Sequence, residues 1–149
     1  MQRFYIDTSA DVALVAATAK DVLYIKASAN ISIKVDEWWV EFDGTTSSAV
    51  PVLVELLRRT TDDTVTSETP RSAGSILEGD VPQFTGGRDA SAVGTAGDIL
   101  PCHKVSPTSG KHVFFPLGQE ITVGKGERLA IRVTAAAGVN CRAGFGVKE

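Results

Sequence analysis

Residues Ile31–Gly44 read ISIKVDEWWVEFDG. Ile31, Ile33 and Val35 alternate with other residues and would share one face of a strand. After Asp36-Glu37 the apolar positions become Trp38, Val40 and Phe42, which have the opposite parity. One extra residue that shifts the alternation is what a β-bulge inserts. The stretch predicts a single bulged strand over 31–43, with two short strands as the other reading. Asp43-Gly44 is a turn signal that closes it. Neighbouring side chains on a strand point to opposite faces, so Trp38 and Trp39 do not share a core. One belongs inside and the other faces an interface, a ligand or solvent.

The same period-2 pattern extends outward from this stretch. RFYI (3–6), VALVAAT (12–18) and VLYIKAS (22–28) precede it as strand candidates. VPVLVELLRRT (50–60) is ambiguous: Val50, Val52, Val54 and Leu56 alternate, whereas Leu53, Leu56 and Leu57 fall at helical spacing behind Pro51. Its β-branched residues favour a strand. Further along, HVFF (112–115) ends at Pro116, Ile121 and Val123 mark another strand, and GKGER (124–128) is a tight turn. LAIRVTA (129–135) turns Leu129, Ile131 and Val133 inward. VNCRAGFGV (139–147) alternates Val139, Cys141, Ala143 and Phe145, with Gly144 and Gly146 on its other face, a sign of a bend or of close backbone packing. Many short strands punctuated by Gly and Pro indicate an all-β, antiparallel β-sandwich or barrel in one domain over residues 1–149. Its expected core includes Ile33, Val35, Val52, Val54, Leu129, Ile131 and Val133.

One segment breaks the pattern. Thr66–Pro101 holds six of the fourteen glycines and three of the six prolines. It is read as one long irregular loop or arm, 66–101, inserted within the sandwich. Scattered apolar residues (Ile76, Leu77, Val81, Phe84, Val93, Ile99, Leu100) suit an arm that orders on a partner. Phe84 would be the main anchor and Arg88, after Gly86-Gly87, a polar contact. A long loop packed on its own domain is the competing reading.

Composition narrows the function classes. The chain is 43% hydrophobic with a formal net charge of −3. Neither half is basic enough for an electrostatic nucleic-acid footprint, and no basic amphipathic helix or long apolar run suggests a membrane. MQRFYIDTSAD (1–11) lacks the apolar core of a signal peptide, so synthesis in a cytoplasm is expected. Cys102 and Cys141 are too few for a disulfide scaffold and are not spaced as zinc ligands.

No catalytic motif emerges. GKGER has the wrong spacing for a phosphate loop and precedes a strand. His103 and His112 could in principle pair with Ser106, Asp98 or Cys102, but no nucleophile elbow is present. Asp36, Glu37, Glu41 and Asp43 could form a carboxylate site, yet their alternation with apolar residues reads as the wet face of a strand. No catalytic residue, metal ligand or cofactor is assigned. The candidate partner-binding residues are Trp38, Trp39, Phe84 and Arg88, since tryptophan is enriched at binding hot spots.

EWWVEFDGTTSSAVPVLVELLRRTT (37–61) and GERLAIRVTAAAGVNCRAGFGVKE (126–149) resemble small structural proteins of tailed bacteriophages. The shared pattern is a long strand ending in FDG, a PVLVELLR strand, a variable loop, then LAIRVTA and a β-rich end. The resemblance implies a jelly-roll or tumour-necrosis-factor-like sandwich and a homotrimer that decorates or cements the head by binding the major capsid protein. The expected location is the virion surface. The competing expectation is a carbohydrate-binding module of a fibre or tail, with Trp38 or Trp39 as a stacking platform.

Overall fold

A computed structural model describes residues 2–46, 50–74 and 81–149. Among them fourteen strands and no helix are found. They are β1 (Arg3–Asp7), β2 (Val12–Ala13), β3 (Lys20–Ala27), β4 (Ile33–Phe42), β5 (Val52–Arg59), β6 (Thr64–Glu68), β7 (Arg71–Ser72) and β8 (Phe84–Ala92), followed by β9 (Ala96–Ile99), β10 (His103–Val105), β11 (Gly110–Phe114), β12 (Ile121–Val123), β13 (Arg128–Thr134) and β14 (Asn140–Lys148). The ambiguous 50–60 stretch is strand from Val52, and Pro51 sits just ahead of it.

Two antiparallel sheets face one another. The first has the order β11-β4-β14-β1-β7, with β12 continuing the β11 edge along β4 and β2 added to β14. The second runs β10-β5-β13-β3-β8-β6, with β9 also on β5. The pairings are nested. β1 pairs with β14, β3 with β13, β4 with β11 and β5 with β10, so chain-early strands meet chain-late ones in reverse order. All seven expected core residues are buried between the sheets, with Phe4, Ile6, Trp38, Val40 and Phe145. Each fully buried large apolar side chain contributes about 1.5–3 kcal/mol.

The phase change read in residues 31–43 is a bulge at Asp36. Opposite β4, Gly146 faces Glu37 and Val147 faces Val35, which leaves Asp36 without a partner. Val35 and Trp38 therefore both point inward. The strand begins at Ile33 rather than at Ile31, which is partly exposed. VALVAAT is likewise shorter than its pattern: only Val12–Ala13 pairs, and Val15 is exposed.

The largest departure from expectation is 66–101, which is not an irregular arm. It contains the end of β6, then β7, β8 and β9. β8 lies inside the second sheet between β3 and β6. The reason is visible at its glycines. A Cβ on Gly86 would stand 2.5 Å from Ile6 Cδ1 and 2.6 Å from the Tyr24 carbonyl oxygen, and one on Gly87 would stand 2.4 Å from Val65 Cγ2. These glycines provide clearance inside a strand; they do not make a loop. Without side chains they also erase the alternation that marks a strand. Ile76 and Leu77 lie outside the described residues.

Phe84 consequently belongs to the core, edge-on to Phe4 with ring centroids 6.0 Å apart, and does not anchor a free arm. Arg88 pairs with Glu68 on the adjacent β6.

A buried ionic clamp holds this inserted block to the outer side of the second sheet. A register shift between β3 and β13 leaves Val22 unpaired and places Asp21 beside Arg132. Arg59 Nε and Nη2 donate to the two Asp21 oxygens at 2.8 and 2.7 Å, and Nη1 donates to the Gly94 carbonyl at 3.0 Å. Asp63 accepts the Gly94 N–H at 2.7 Å, and its other oxygen is buried without a hydrogen bond. Two carboxylates thus share one guanidinium. Burial, then the adjacent Asp21, pushes the Asp63 carboxyl up to about 7.

The folded protein then holds this proton more tightly than the unfolded chain does, so Asp63 makes stability fall as pH rises from about 4 to about 7. Asp63→Asn keeps the oxygen that accepts from Gly94 and removes the second charge. Its melting temperature relative to the parent is expected to climb across that window. Parallel melting curves from pH 4 to 8 check this; a constant difference would show that Asp63 ionises like an exposed carboxylate.

Candidate functional site

The outward face of the first sheet carries the candidate site. The bulge at Asp36 sends Glu37, Trp39 and Glu41 outward on β4 while Trp38, Val40 and Phe42 turn in. In the adjacent β14, Gly144 stands opposite Trp39 and Gly146 opposite Glu37. A Cβ on Gly144 would meet three indole carbons of Trp39 at 2.0–2.5 Å. One on Gly146 would meet Glu37 Cγ at 2.5 Å and Asp36 Oδ1 at 2.7 Å. The two glycines thus form a furrow in which the indole and the carboxylate arm lie against bare backbone.

Flanking strands add the walls. Tyr5 of β1 stands edge-on to Trp39, centroids 6.2 Å apart at 65°. On the other side His112 of β11 is tilted against Trp39 at 5.6 Å and stacks on Phe114 at 4.3 Å. An aromatic row, Tyr5–Trp39–His112–Phe114, therefore draws on β1, β4 and β11 and passes over β14, strands that the topology interleaves from both ends of the chain. Beside it an open groove of about 640 Å³ is lined by Tyr5, Glu37, Trp39, Glu41, Lys111 and His112, among others.

Charges under this row are paired. The Glu37 side chain is only 4% exposed. One of its oxygens takes Arg3 Nη2 and the other lies 2.7 Å from His112 Nε2. Arg3 also reaches Asp36 at 3.2 Å, and Lys148 reaches Asp36 at 3.1 Å. The Arg3 guanidinium sits 5.0 Å from the Tyr5 ring centroid, a cation–π distance. Burial, followed by the charge of Glu37, raises the Tyr5 phenol, which stays a neutral O–H donor at ordinary pH.

The tryptophan pair divides as the alternation requires. Trp38 is in the core, tilted against His103 at 5.5 Å, and cannot serve as an external platform. Trp39 is partly exposed in the groove. Phe84 and Arg88 lie in the second sheet, away from this face. His103 and His112 are likewise in different sheets. The acidic cluster is not uniformly wet: Asp36 and Glu37 are buried with cationic partners, whereas Glu41 is exposed. Asp43 is held below the ordinary carboxylate range by the Asn140 N–H and side-chain amide at 2.7 and 2.8 Å.

Among the described residues no three His, Cys, Asp or Glu side chains gather as a metal ion would need. Cys102 is exposed. Cys141 is buried, which pushes its thiol up to about 12, far from reactive thiolate.

Arg3 and Tyr5 are not legible in the sequence as site residues, and His112 is weighed there only for a hydrolytic pairing. The one available signal was Gly144 and Gly146 on a shared face, which pointed to close packing without naming its occupant. No protein-family model matches this chain, and no curated protein or solved structure matches it either.

Gly144→Ala should lift the Trp39 indole off the sheet, because the clash is with a rigid ring rather than a flexible tip. The Trp39 indole N–H resonance should move and its acrylamide quenching increase, while that of Trp38 stays put. Gly74→Ala, where an added methyl meets nothing within 4 Å, is the control. An unmoved Trp39 signal would show that the furrow does not position the ring.

Proposed function

We propose that this chain is a non-enzymatic virion structural protein of a tailed bacteriophage. In this reading it decorates or cements the capsid by binding the major capsid protein as a homotrimer. The observation that carries the reading is the nested strand order. A long hairpin folded over on itself pairs β1 with β14, β3 with β13, β4 with β11 and β5 with β10, alternating between sheets. This nesting supports the jelly-roll sandwich that the resemblance at residues 37–61 and 126–149 implies.

Contact surface is available at the edge of the first sheet. There β11 and β12 form one edge along β4, interrupted by the turn between them. Phe114, the last residue of β11, and Leu117 in the turn after it are 66% and 87% exposed. Large apolar side chains held out on a turn suit a subunit contact. A rotationally closed contact between copies generates a ring. Several weak attachments per ring then raise avidity without new chemistry.

Two measurements test the reading. Light scattering on the purified chain should give three times 15.7 kDa, and Phe114→Asp with Leu117→Asp should return it to one times that mass with an unchanged melting temperature. Mass analysis of purified virions should find the chain in the particles. Abundant chain in lysates with none in particles would overturn the proposal.

A further inference from the structure

The outer face of the first sheet carries an inference that stands whether or not the virion reading does. We propose that the groove beside Trp39 is a binding site for a neutral saccharide, with the Trp39 indole as its stacking platform.

The geometry of the ring is the first argument. The contacts that a Gly144 Cβ would make are to Trp39 Cζ2, Cε2 and Cη2 together, so the six-membered part of the indole rests broadly on the β14 backbone. One face of the ring is used by the protein, and Trp39 is partly exposed and lines the groove. Tyr5 and His112 meet the ring at 65° and 53°, so they bound it as walls instead of covering it. A rigid aromatic surface offered this way loses little side-chain freedom on binding, because the furrow already holds it. The axial C–H face of a pyranose is the flat, weakly apolar partner that fits such a ring.

Charge and polarity select the ligand class. Lining the groove are the exposed Glu41, Glu37, whose oxygens already hold Arg3 and His112, and the Ser109–His112 stretch of the chain. Two guanidiniums flank this face: Arg3 is engaged by Glu37 and Asp36, and Arg142, opposite Glu41 on β14, is engaged by Asp11. A phosphorylated or carboxylated ligand would meet the exposed Glu41 carboxylate, and the flanking guanidiniums would have to leave their own carboxylate partners to receive it. A neutral polyol meets no such cost. Its hydroxyls can donate to the exposed Glu41 carboxylate.

A flat apolar partner surface would bury Glu41 and Lys111 without replacing their water. The groove volume of about 640 Å³ lies within the range of small-ligand sites and has room for a short oligosaccharide.

The test uses the full chain and a panel of neutral mono- and disaccharides, namely glucose, galactose, mannose, N-acetylglucosamine and their β-linked dimers. The readouts are the Trp39 indole N–H resonance and calorimetric titration. At least one member should shift the Trp39 resonance saturably, leave that of Trp38 unmoved, and bind in the millimolar range. Trp39→Ala should weaken this binding about tenfold or more. If that variant is unstable, Glu41→Gln, a change on an exposed side chain, should weaken the same binding and leave the melting temperature unchanged. The proposal is overturned if no panel member moves the Trp39 signal, if binding survives both substitutions, or if only anionic sugars bind. A negative result here leaves the virion mass analysis and the oligomer mass untouched, so the two proposals fail separately.

Discussion

The unpaired residue Asp36 in β4 is the constraint on which the rest of the first sheet depends. Removing it would restore strict alternation and throw either Ile33 and Val35 or Trp38, Val40 and Phe42 out of the core. With it, both sets point inward. The bulge also has local uses: the Asp36 carbonyl accepts the Phe115 N–H at 2.8 Å, where the β11–β12 edge breaks, and its side chain collects Arg3 and Lys148. One extra residue thereby fixes the core face, the outward position of Trp39 and Glu37, and the point at which the edge strand opens into a turn.

Glycine has two meanings in this chain, and only packing separates them. Gly118 and Gly126 have positive φ and make the β11–β12 and β12–β13 turns. Gly86, Gly87, Gly144 and Gly146 lie within strands and are small because something else occupies the space of a Cβ: Ile6, Val65, the Trp39 indole and the Glu37 side chain respectively. The first kind creates flexibility in the chain and the second creates close approach in the fold. The furrow under Trp39 and Glu37 is a product of the second kind.

Polar burial follows a single logic on both sheets. The bulge in β4 draws Arg3, Lys148 and His112 around Asp36 and Glu37 on the first sheet. The irregularity in β3 turns Asp21 toward Arg59 and Asp63 on the second. A buried carboxylate is tolerable only with a cation and donors close by. The first cluster supplies enough cations; the second buries Asp63 and sets it beside Asp21 on one guanidinium, so burial and then the neighbouring carboxylate raise the Asp63 carboxyl.

The alternation of apolar residues by itself determined the all-β class, the strands of highest contrast and the residues that face the core, because period 2 is a local property of an extended chain. It located the bulge in β4 to within one residue and required the two tryptophans to part. It did not show which of them faces out, since that depends on which side of β4 the second sheet covers. Nor did it reveal β8, whose Gly-Gly pair carries no side chains to report a period, or the fate of Phe84, whose place opposite Phe4 exists only after β8 docks. The groove was equally invisible: Tyr5, Trp39 and His112 lie far apart in the chain and meet only because β1, β4, β11 and β14 interleave. Cross-strand neighbours are chosen by the winding of the whole sandwich, and only the tertiary structure contains that information.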